Sequence, residues 1–352
     1  MPRNTGPGAS HHAAGAASTL HDVAELAGTS IATVSRALNQ PEKLRRETLE
    51  RVREAMRELQ FRPNLIGRQL RGERTCLVGV VLPDMLNPVF GECLQGIEES
   101  AAQGAYRVLL TTTGYDSARE EQVIETLLSQ RVDGLILTVA RAQEHPLLAR
   151  LAAAAVPYQL VYNHCESHPC VSVDNRAAAR ELVTELVLLG HRRIGMLSGS
   201  RAASDRATQR HQGYCDAMRA AGLAARAPLE IDFHQRRLPT DMLAALRDPR
   251  RRPTALFCGN DFLALLVMRE LREAGMRVPE DISVVGFDGL SFGELLSPPL
   301  ATVCQPHRQL GSTAWSHLQH VLEGGAPRSS VLAHRLRIDG TVAPPSFRPR
   351  PE

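Results

Sequence analysis

From Leu77 onward the chain alternates short apolar runs with amphipathic stretches, a pattern that few architectures satisfy. The runs are Leu77–Leu82, Arg107–Thr112, Gly134–Val139, Tyr158–Tyr162, Ile194–Leu197, Ala255–Cys258 and Ile282–Gly286, and helical stretches separate most of them. An uninterrupted apolar run reads as a strand buried on both faces, hence a parallel sheet with helices crossing over it. About 270 residues is too much for one such sheet, so two α/β lobes are expected.

The first quarter of the chain is different. Residues 1–18 are mostly Gly, Ala, Ser, Pro and His without apolar periodicity, and are expected to be a disordered leader. From Thr19 to Arg62 the pattern is helical. Thr19-Leu-His-Asp22 spells a capping box, Val23, Ala24, Leu26 and Ala27 form an apolar face, and Gly28 stops the helix. Ser30 caps a second helix, Ile31–Leu38, with Val34, Ala37 and Leu38 inward. A third helix runs from about Glu47 to Leu59, with Leu49, Val52, Met56 and Leu59 facing in. The tight Gly28-Thr29-Ser30 turn, with small Ala24 before it and Val34 after it, has helix-turn-helix spacing. The outer face of the second helix offers Ser30, Ile31, Ala32, Thr33, Ser35, Arg36 and Asn39. Arg36 can pair with guanine O6 and N7, and the small apolar groups can touch a thymine methyl.

Charge agrees with that reading. Residues 1–75 carry twelve Lys/Arg against eight Asp/Glu, whereas residues 76–352 carry twenty-nine against thirty. The basic excess therefore lies on the small N-terminal piece, as an electrostatic footprint for nucleic acid requires. Other classes fall away. No apolar run approaches the ~20 residues needed to span a bilayer, and no secretory leader is expected. Seven cysteines without a C-x-x-C motif read as reduced thiols of a cytoplasmic protein. Lys43 is the single lysine, which leaves none elsewhere for a P-loop or a Schiff base, and neither H-E-x-x-H nor G-x-G-x-x-G occurs. No catalytic residue, cofactor or metal site is expected. His164-Cys165-Glu-Ser-His168-Pro-Cys170 packs four soft ligands into seven residues, but on one loop interrupted by proline, and so is not read as zinc.

Candidate ligand groups sit where strands end and loops begin, the usual place for a cleft in α/β lobes. Asp84, Asn87 and Phe90 follow the first strand, Asn260 and Asp261 follow Ala255–Cys258, and Asp288 follows Val284–Gly286. Arg206 and Arg210 precede Gly213-Tyr214. Carboxylates, amides, arginines and one ring can bind a polyol or a sugar acid.

Thr19-Leu-His-Asp-Val-Ala-Glu-Leu-Ala-Gly28, then Thr33-Val-Ser-Arg36 and Asn39, resemble the LacI/GalR family of bacterial transcriptional regulators. The resemblance continues through Phe61-Arg-Pro-Asn64, Arg68-Gln-Leu70, Arg131-Val-Asp-Gly-Leu-Ile136, Leu189-Gly-His-Arg-Arg-Ile-Gly195, Pro253–Cys258 and Val278–Asp288, covering about residues 19–340. It implies a helix-turn-helix headpiece (19–62), a hinge helix or linker (63–74), and a two-lobed core (75–343) like periplasmic sugar-binding proteins. The chain would cross three times between the lobes. The first lobe would take about 75–174 and 305–334, the second about 175–304 and 335–343, leaving 344–352 as a tail. The family places effector contacts at positions matching Phe90, Arg210, Asn260 and Asp288. Asn64, Arg68 and Leu70 match the hinge, where Leu70 suits an apolar wedge in the minor groove beside phosphate-binding Arg68. Gly67 departs from the alanine of many members and weakens a short helix by about 1 kcal/mol.

The expected protein is a sequence-specific DNA-binding repressor, active as a homodimer on a pseudo-palindromic operator and controlled by a small molecule between its lobes. Val81–Phe90, Thr113–Gln122 and Gly286–Gly289 look closer to the gluconate-repressor branch than to the lactose or purine branches, which points to a sugar or sugar-acid effector. A stand-alone solute-binding protein would leave Leu20–Arg71 unexplained. An α/β enzyme fused to a helix-turn-helix rests on fold alone.

Overall fold

The computed structural model describes residues 18–61, 74–231, 235, 237–248 and 252–345. It divides into two compact units, residues 1–75 and 76–352.

In the first unit, α1 (Leu20–Leu26), α2 (Ile31–Asn39) and α3 (Arg46–Glu58) surround a small core of Val23, Ala24, Val34, Val52 and Ala55. The capping box is present: Asp22 N–H donates to Thr19 Oγ1 at 3.3 Å, and Thr19 N–H returns to Asp22 Oδ2 at 2.7 Å. Gly28 adopts φ +59°, a left-handed turn that ends α1 without a Cβ penalty, and Ser30 caps α2. Leu26 departs from expectation, because it is 46% exposed. At about 100° per residue, the inward arc is set by Leu20, Val23, Ala24 and Ala27, and Leu26 falls outside it. Likewise Ala55, rather than the partly exposed Leu49, joins Val52 in the seam.

The second unit holds two six-stranded sheets. The first contains β1 (Leu77–Leu82), β2 (Arg107–Thr112), β3 (Gly134–Leu137), β4 (Tyr158–Val161), β5 (Cys170–Ser172) and β11 (Ser330–Val331), in the order β11-β5-β4-β3-β1-β2, all parallel. The second contains β6 (Ile194–Ser198), β7 (Leu229–Glu230), β8 (Ala255–Cys258), β9 (Ser283–Asp288), β10 (Ala301–Cys304) and β12 (Arg335–Arg337). Its order is β12-β10-β9-β8-β6-β7, and only β12 is antiparallel. The chain passes between sheets after β5, after β10 and after β11. Central strands such as β1, β8 and β9 are buried nearly end to end, as their continuous apolar text requires.

Helices cover the sheets: α4 (Pro88–Gln103), α5 (Ser117–Ser129), α6 (Pro146–Ala153) and α11 (His307–Leu322) belong with the first. Helices α7 (Asn175–Leu188), α8 (Asp205–Ala220), α9 (Thr240–Arg247) and α10 (Asp261–Glu273) belong with the second. In each lobe one helix pair crosses backbone to backbone. A methyl group on Gly311 of α11 would collide with the Cys93 carbonyl of α4, and one on Gly213 of α8 with the Arg176 carbonyl of α7. Five strands, β5, β7, β10, β11 and β12, escape the sequence pattern. Four of them have only two or three residues, and β10 follows Pro298-Pro299, which reads as a loop.

Candidate functional sites

In the headpiece, the residues that fix α2 and those that face outward are distinct. Ser30 Oγ accepts from Thr33 N–H at 3.2 Å and lies 2.9 Å from Thr33 Oγ1, so both hydroxyls hold the helix start. Val34 is fully buried against the unit's core, which turns Ile31, Ala32 and Arg36 to solvent and leaves Ser35 partly exposed. The Arg36 carbonyl accepts from Gln40 N–H, but its guanidinium makes no hydrogen bond or ion pair among the described residues. A forked guanidinium beside small apolar groups can read a guanine edge and a thymine methyl. The calls on Asn64, Arg68 and Leu70 lie outside the described residues, as does the side chain of Asn39.

In the core, the C-terminal ends of the strands of both sheets converge on a chamber of about 40 Å³, which widens into a vestibule of about 420 Å³. All seven candidate effector residues meet here. Asn87, Phe90, Arg206, Arg210, Asn260 and Asp288 line the chamber, and Asp84 lines the vestibule with Leu86, Phe262 and Arg269.

Arg210 and Asp288 form the chamber's centre. The Arg210 guanidinium lies 3.8 Å from the centroid of the Phe287 ring, donates to Asn175 Oδ1 at 2.9 Å and to the Gly259 carbonyl, and stands 3.5 Å from Asp288 Oδ1. Gln305 Nε2 donates to the same carboxylate oxygen at 2.9 Å, and Asn87 of the opposite lobe lines the chamber with it. These partners do not offset burial, which pushes Asp288 up to about 7; Arg210 opposes the rise and Asp261 adds to it. Asp288 also has φ +132°, a strained backbone for a residue with a side chain. Asp261 braces that turn: its Oδ2 accepts from Gly289 N–H (2.9 Å) and Leu290 N–H (2.7 Å), and its Oδ1 from the Thr302 hydroxyl (2.6 Å). Asp261 is therefore a positioning residue beneath the chamber.

The first lobe contributes an aromatic wall. Phe90 packs edge-on against Tyr162, with centroids 5.4 Å apart, and lies 6.4 Å from Tyr115. The Tyr162 hydroxyl sits between the Val89 carbonyl (2.8 Å) and His307 Nδ1 (3.0 Å), while His307 Nε2 lies 2.8 Å from the Asp288 carbonyl. Burial pushes His307 down to about 4, so the ring is neutral near pH 7 and donates from Nε2 to that carbonyl.

At the chamber's edge α8 is strapped to the other lobe. Asp205 N–H donates to the Ala140 carbonyl at 2.7 Å, Asn163 Nδ2 donates to Asp205 Oδ2 at 2.7 Å, and Arg206 Nη1 reaches the Val139 carbonyl at 3.3 Å.

Sequence reasoning missed Tyr115, Tyr162, Gln305 and His307. The strand-end rule reaches Tyr115, after β2, and Tyr162, after β4. Gln305 and His307 follow β10, the strand hidden behind prolines. Asn260 and Asn87 also cap helices, accepting from Leu263 N–H (2.8 Å) and Val89 N–H (3.3 Å), so capping and lining coexist in one side chain. One string of esterase form, Gly289-Leu-Ser291-Phe-Gly293, does occur. Ser291 is exposed in the 3₁₀ turn after β9 rather than in a strand-to-helix elbow. The His164–Cys170 side chains disperse: His164 Nδ1 meets Ser172 Oγ at 2.9 Å, and His168 Nδ1 meets the Tyr158 hydroxyl at 2.7 Å. No helix among the described residues is long and apolar enough to cross a membrane.

Comparison with known proteins agrees with this construction. The profile described as periplasmic binding proteins and sugar binding domain of LacI family matches residues 75–339, and that of bacterial regulatory proteins, lacI family, matches residues 19–64. The chain is 32% identical over 316 residues to the HTH-type transcriptional repressor CytR of Escherichia coli (strain K12), covering 88% of this chain and 91% of that one. It is 31% identical over 303 residues to the ribose operon repressor of Haemophilus influenzae, covering 84% and 89%. Among solved structures, the lac repressor dimer bound to operator and the anti-inducer ONPF superposes with a TM-score of 0.81 at 30% identity, over 93% of this chain and 100% of that one. The relatives are regulators, not enzymes, and the paired profiles account for both units. The chain belongs to the LacI family of bacterial regulatory proteins and is an effector-regulated, DNA-binding transcriptional repressor.

Proposed function

We propose that the protein represses a sugar or sugar-acid utilisation operon in the cytoplasm, acting as a homodimer whose two α2 helices read half-sites of a pseudo-palindromic operator. Ser30, Ile31, Ala32, Thr33, Ser35, Arg36 and Asn39 form the major-groove surface, and residues 63–74, through Asn64, Arg68 and Leu70, add a minor-groove contact. The similarity to a lac repressor dimer on operator supports the assembly.

The observation that carries the effector reading is the chamber, where amide and ring groups of one lobe face two arginines, an amide and a carboxyl of the other. Asp288, Asn87 and Asn260 suit hydroxyls, and Phe90 suits a C–H face. Arg206 commits only Nη1 among the described residues, which leaves its other donors for a carboxylate. With Asp288 held near 7, the two arginines leave the chamber biased toward positive charge, which favours a sugar acid over a neutral sugar. The chamber volume of about 40 Å³ is far below the ~300 Å³ of ordinary ligand pockets. A ligand that touches both lobes and favours one lobe geometry is felt by an operator-bound state with another.

A thermal-shift series of neutral aldoses against aldonic and uronic acids tests the reading, since a ligand that binds only the native state raises Tm. An acid should raise Tm where its parent sugar does not, and Arg206→Gln should erase the difference. Stabilisation by neutral sugars alone would remove the carboxylate assignment.

A further inference from the structure

Helix α5 buries an acid that its text does not announce. In Ala118-Arg-Glu-Glu-Gln122, Glu120 and Glu121 read alike as a solvated face. Glu121 and Glu125 do lie in solvent, paired with Arg150 at 2.7 and 2.9 Å. Glu120 is 2% exposed. A carboxylate leaves water at a large cost unless its oxygens are bonded. Both are: Oε1 accepts from Ala140 N–H at 2.7 Å, and Oε2 lies 2.9 Å from His145 Nε2.

The peptide that Glu120 holds is the one on which the second lobe docks. Val139 and Ala140, just after β3, are buried, and all four of their main-chain polar groups are taken. The first lobe fixes them: Asn163 accepts from Val139 N–H (2.9 Å) and donates to the Val139 carbonyl (2.8 Å), while Glu120 takes Ala140 N–H. Helix α8 then docks. The Ala140 carbonyl accepts from Asp205 N–H at 2.7 Å, and the Val139 carbonyl from Arg206 Nη1 at 3.3 Å. Arg206 and Arg210 are four residues apart on α8, so one helix face carries both into the chamber. A single peptide therefore separates Glu120 from the first turn of the helix that supplies the chamber's arginines.

We infer that Glu120 is a positioning residue for effector binding: by fixing the Ala140 peptide it seats the start of α8, and so sets where Arg206 and Arg210 stand. Glu120 itself does not line the chamber. Its effect on a ligand rests on the chamber being the effector site, whereas the seating of α8 does not. What matters is the reach of the side chain to Ala140 N–H. Glu120→Gln keeps that reach, because its amide oxygen can accept from Ala140 and its amide nitrogen can donate to His145 Nε2. Glu120→Asp keeps the charge but draws the oxygens back by about 1.5 Å, one C–C bond, which leaves Ala140 N–H without its acceptor.

Native-state hydrogen exchange on the full-length protein, with no ligand present, reads the Asp205 amide in both variants. The amide of Val80 in β1 serves as the reference within the first lobe. In Glu120→Asp the Asp205 amide should exchange about five- to tenfold faster, the factor for one lost buried hydrogen bond, with Val80 unchanged. In Glu120→Gln both should match wild type. Whichever of D-gluconate and D-glucuronate raises the wild-type Tm should then bind Glu120→Asp more weakly by a similar factor and Glu120→Gln normally. The inference is overturned if Asp205 exchange is unchanged in Glu120→Asp, if Val80 accelerates with it, or if Glu120→Gln loosens Asp205 as well. It is also overturned if an acid that binds wild type binds Glu120→Asp equally. Failure of both acids to raise Tm would strike the effector reading of the chamber, and the exchange result alone would decide whether Glu120 seats α8.

Discussion

Replacing Asp288 by asparagine should stabilise the core most at pH 8, partly at pH 5, and hardly at all below about pH 4. The carboxyl is 4% exposed, its value in the folded protein is about 7, and its ordinary value is 3.8. Between those values the folded state holds a proton that the unfolded state has released. Stability therefore falls as pH rises from about 4 to 7 and is flat above. At about 1.4 kcal/mol per pH unit, the full penalty is on the order of 4 kcal/mol. Asparagine mimics the protonated acid, keeps an oxygen for Arg210 and never charges, so the variant should lack that slope. Denaturant unfolding at pH 5, 6, 7 and 8 measures it. Trp315, the single tryptophan, is buried against Tyr106 and reports on the core alone. The wild-type curve should drop by a few kcal/mol across the series while the variant's stays level. Parallel curves would refute the claim that Asp288 is held against its own solvation. A side chain that costs the fold this much is retained for what it binds, so the same variant should lose its response to the effector.

Other outcomes follow from named contacts. Arg36→Ala should weaken operator binding by about 1–3 kcal/mol and relax preference at one base pair; equal loss on operator and random DNA in a gel-shift assay would make Arg36 a phosphate contact. Gly311→Ala drives a methyl into the Cys93 carbonyl and should destabilise the core by about 3 kcal/mol or more, read by Trp315 fluorescence, with headpiece unfolding unaffected. Leu70→Ala should reduce specific binding by about 2–5 kcal/mol, as truncation of a buried leucine does, with random-DNA affinity little changed; an operator bend angle equal to wild type would remove the wedge.

Much of this architecture was legible because local and tertiary demands coincide. Val34 and Ala24 had to be apolar and small for two short helices to cross, and Gly28 had to turn left-handed, so the headpiece could be read from spacing alone. Central strands such as β1, β8 and β9 announce themselves by unbroken apolar text. The chamber residues that follow them, Asn87, Asn260 and Asp288, could be nominated from that position. What could not be read depends on partners remote in sequence. Leu26 looks inward by composition, but the arc is decided by where α3 lies. Gln305 and His307 reach the chamber through β10, whose four residues gain strand character from β9 and β12 on either side. Asp261 reads as a ligand candidate, yet its oxygens are taken up by a turn twenty-eight residues downstream. The Arg210–Asp288 pair, both nominated, meets only because α8 packs on the sheet that contains β9.

The central claim is that a molecule held by the chamber and an operator held by the headpiece compete or cooperate through one protein. Reciprocal titration tests it directly: operator affinity measured with and without a saturating acid identified by thermal shift, and acid affinity measured with and without saturating operator. Linkage requires the two ratios to be the same factor, and Arg210→Ala should bring both to one while leaving effector-free operator binding intact. A ligand that binds the core tightly yet leaves operator affinity unchanged in wild type would contradict the account.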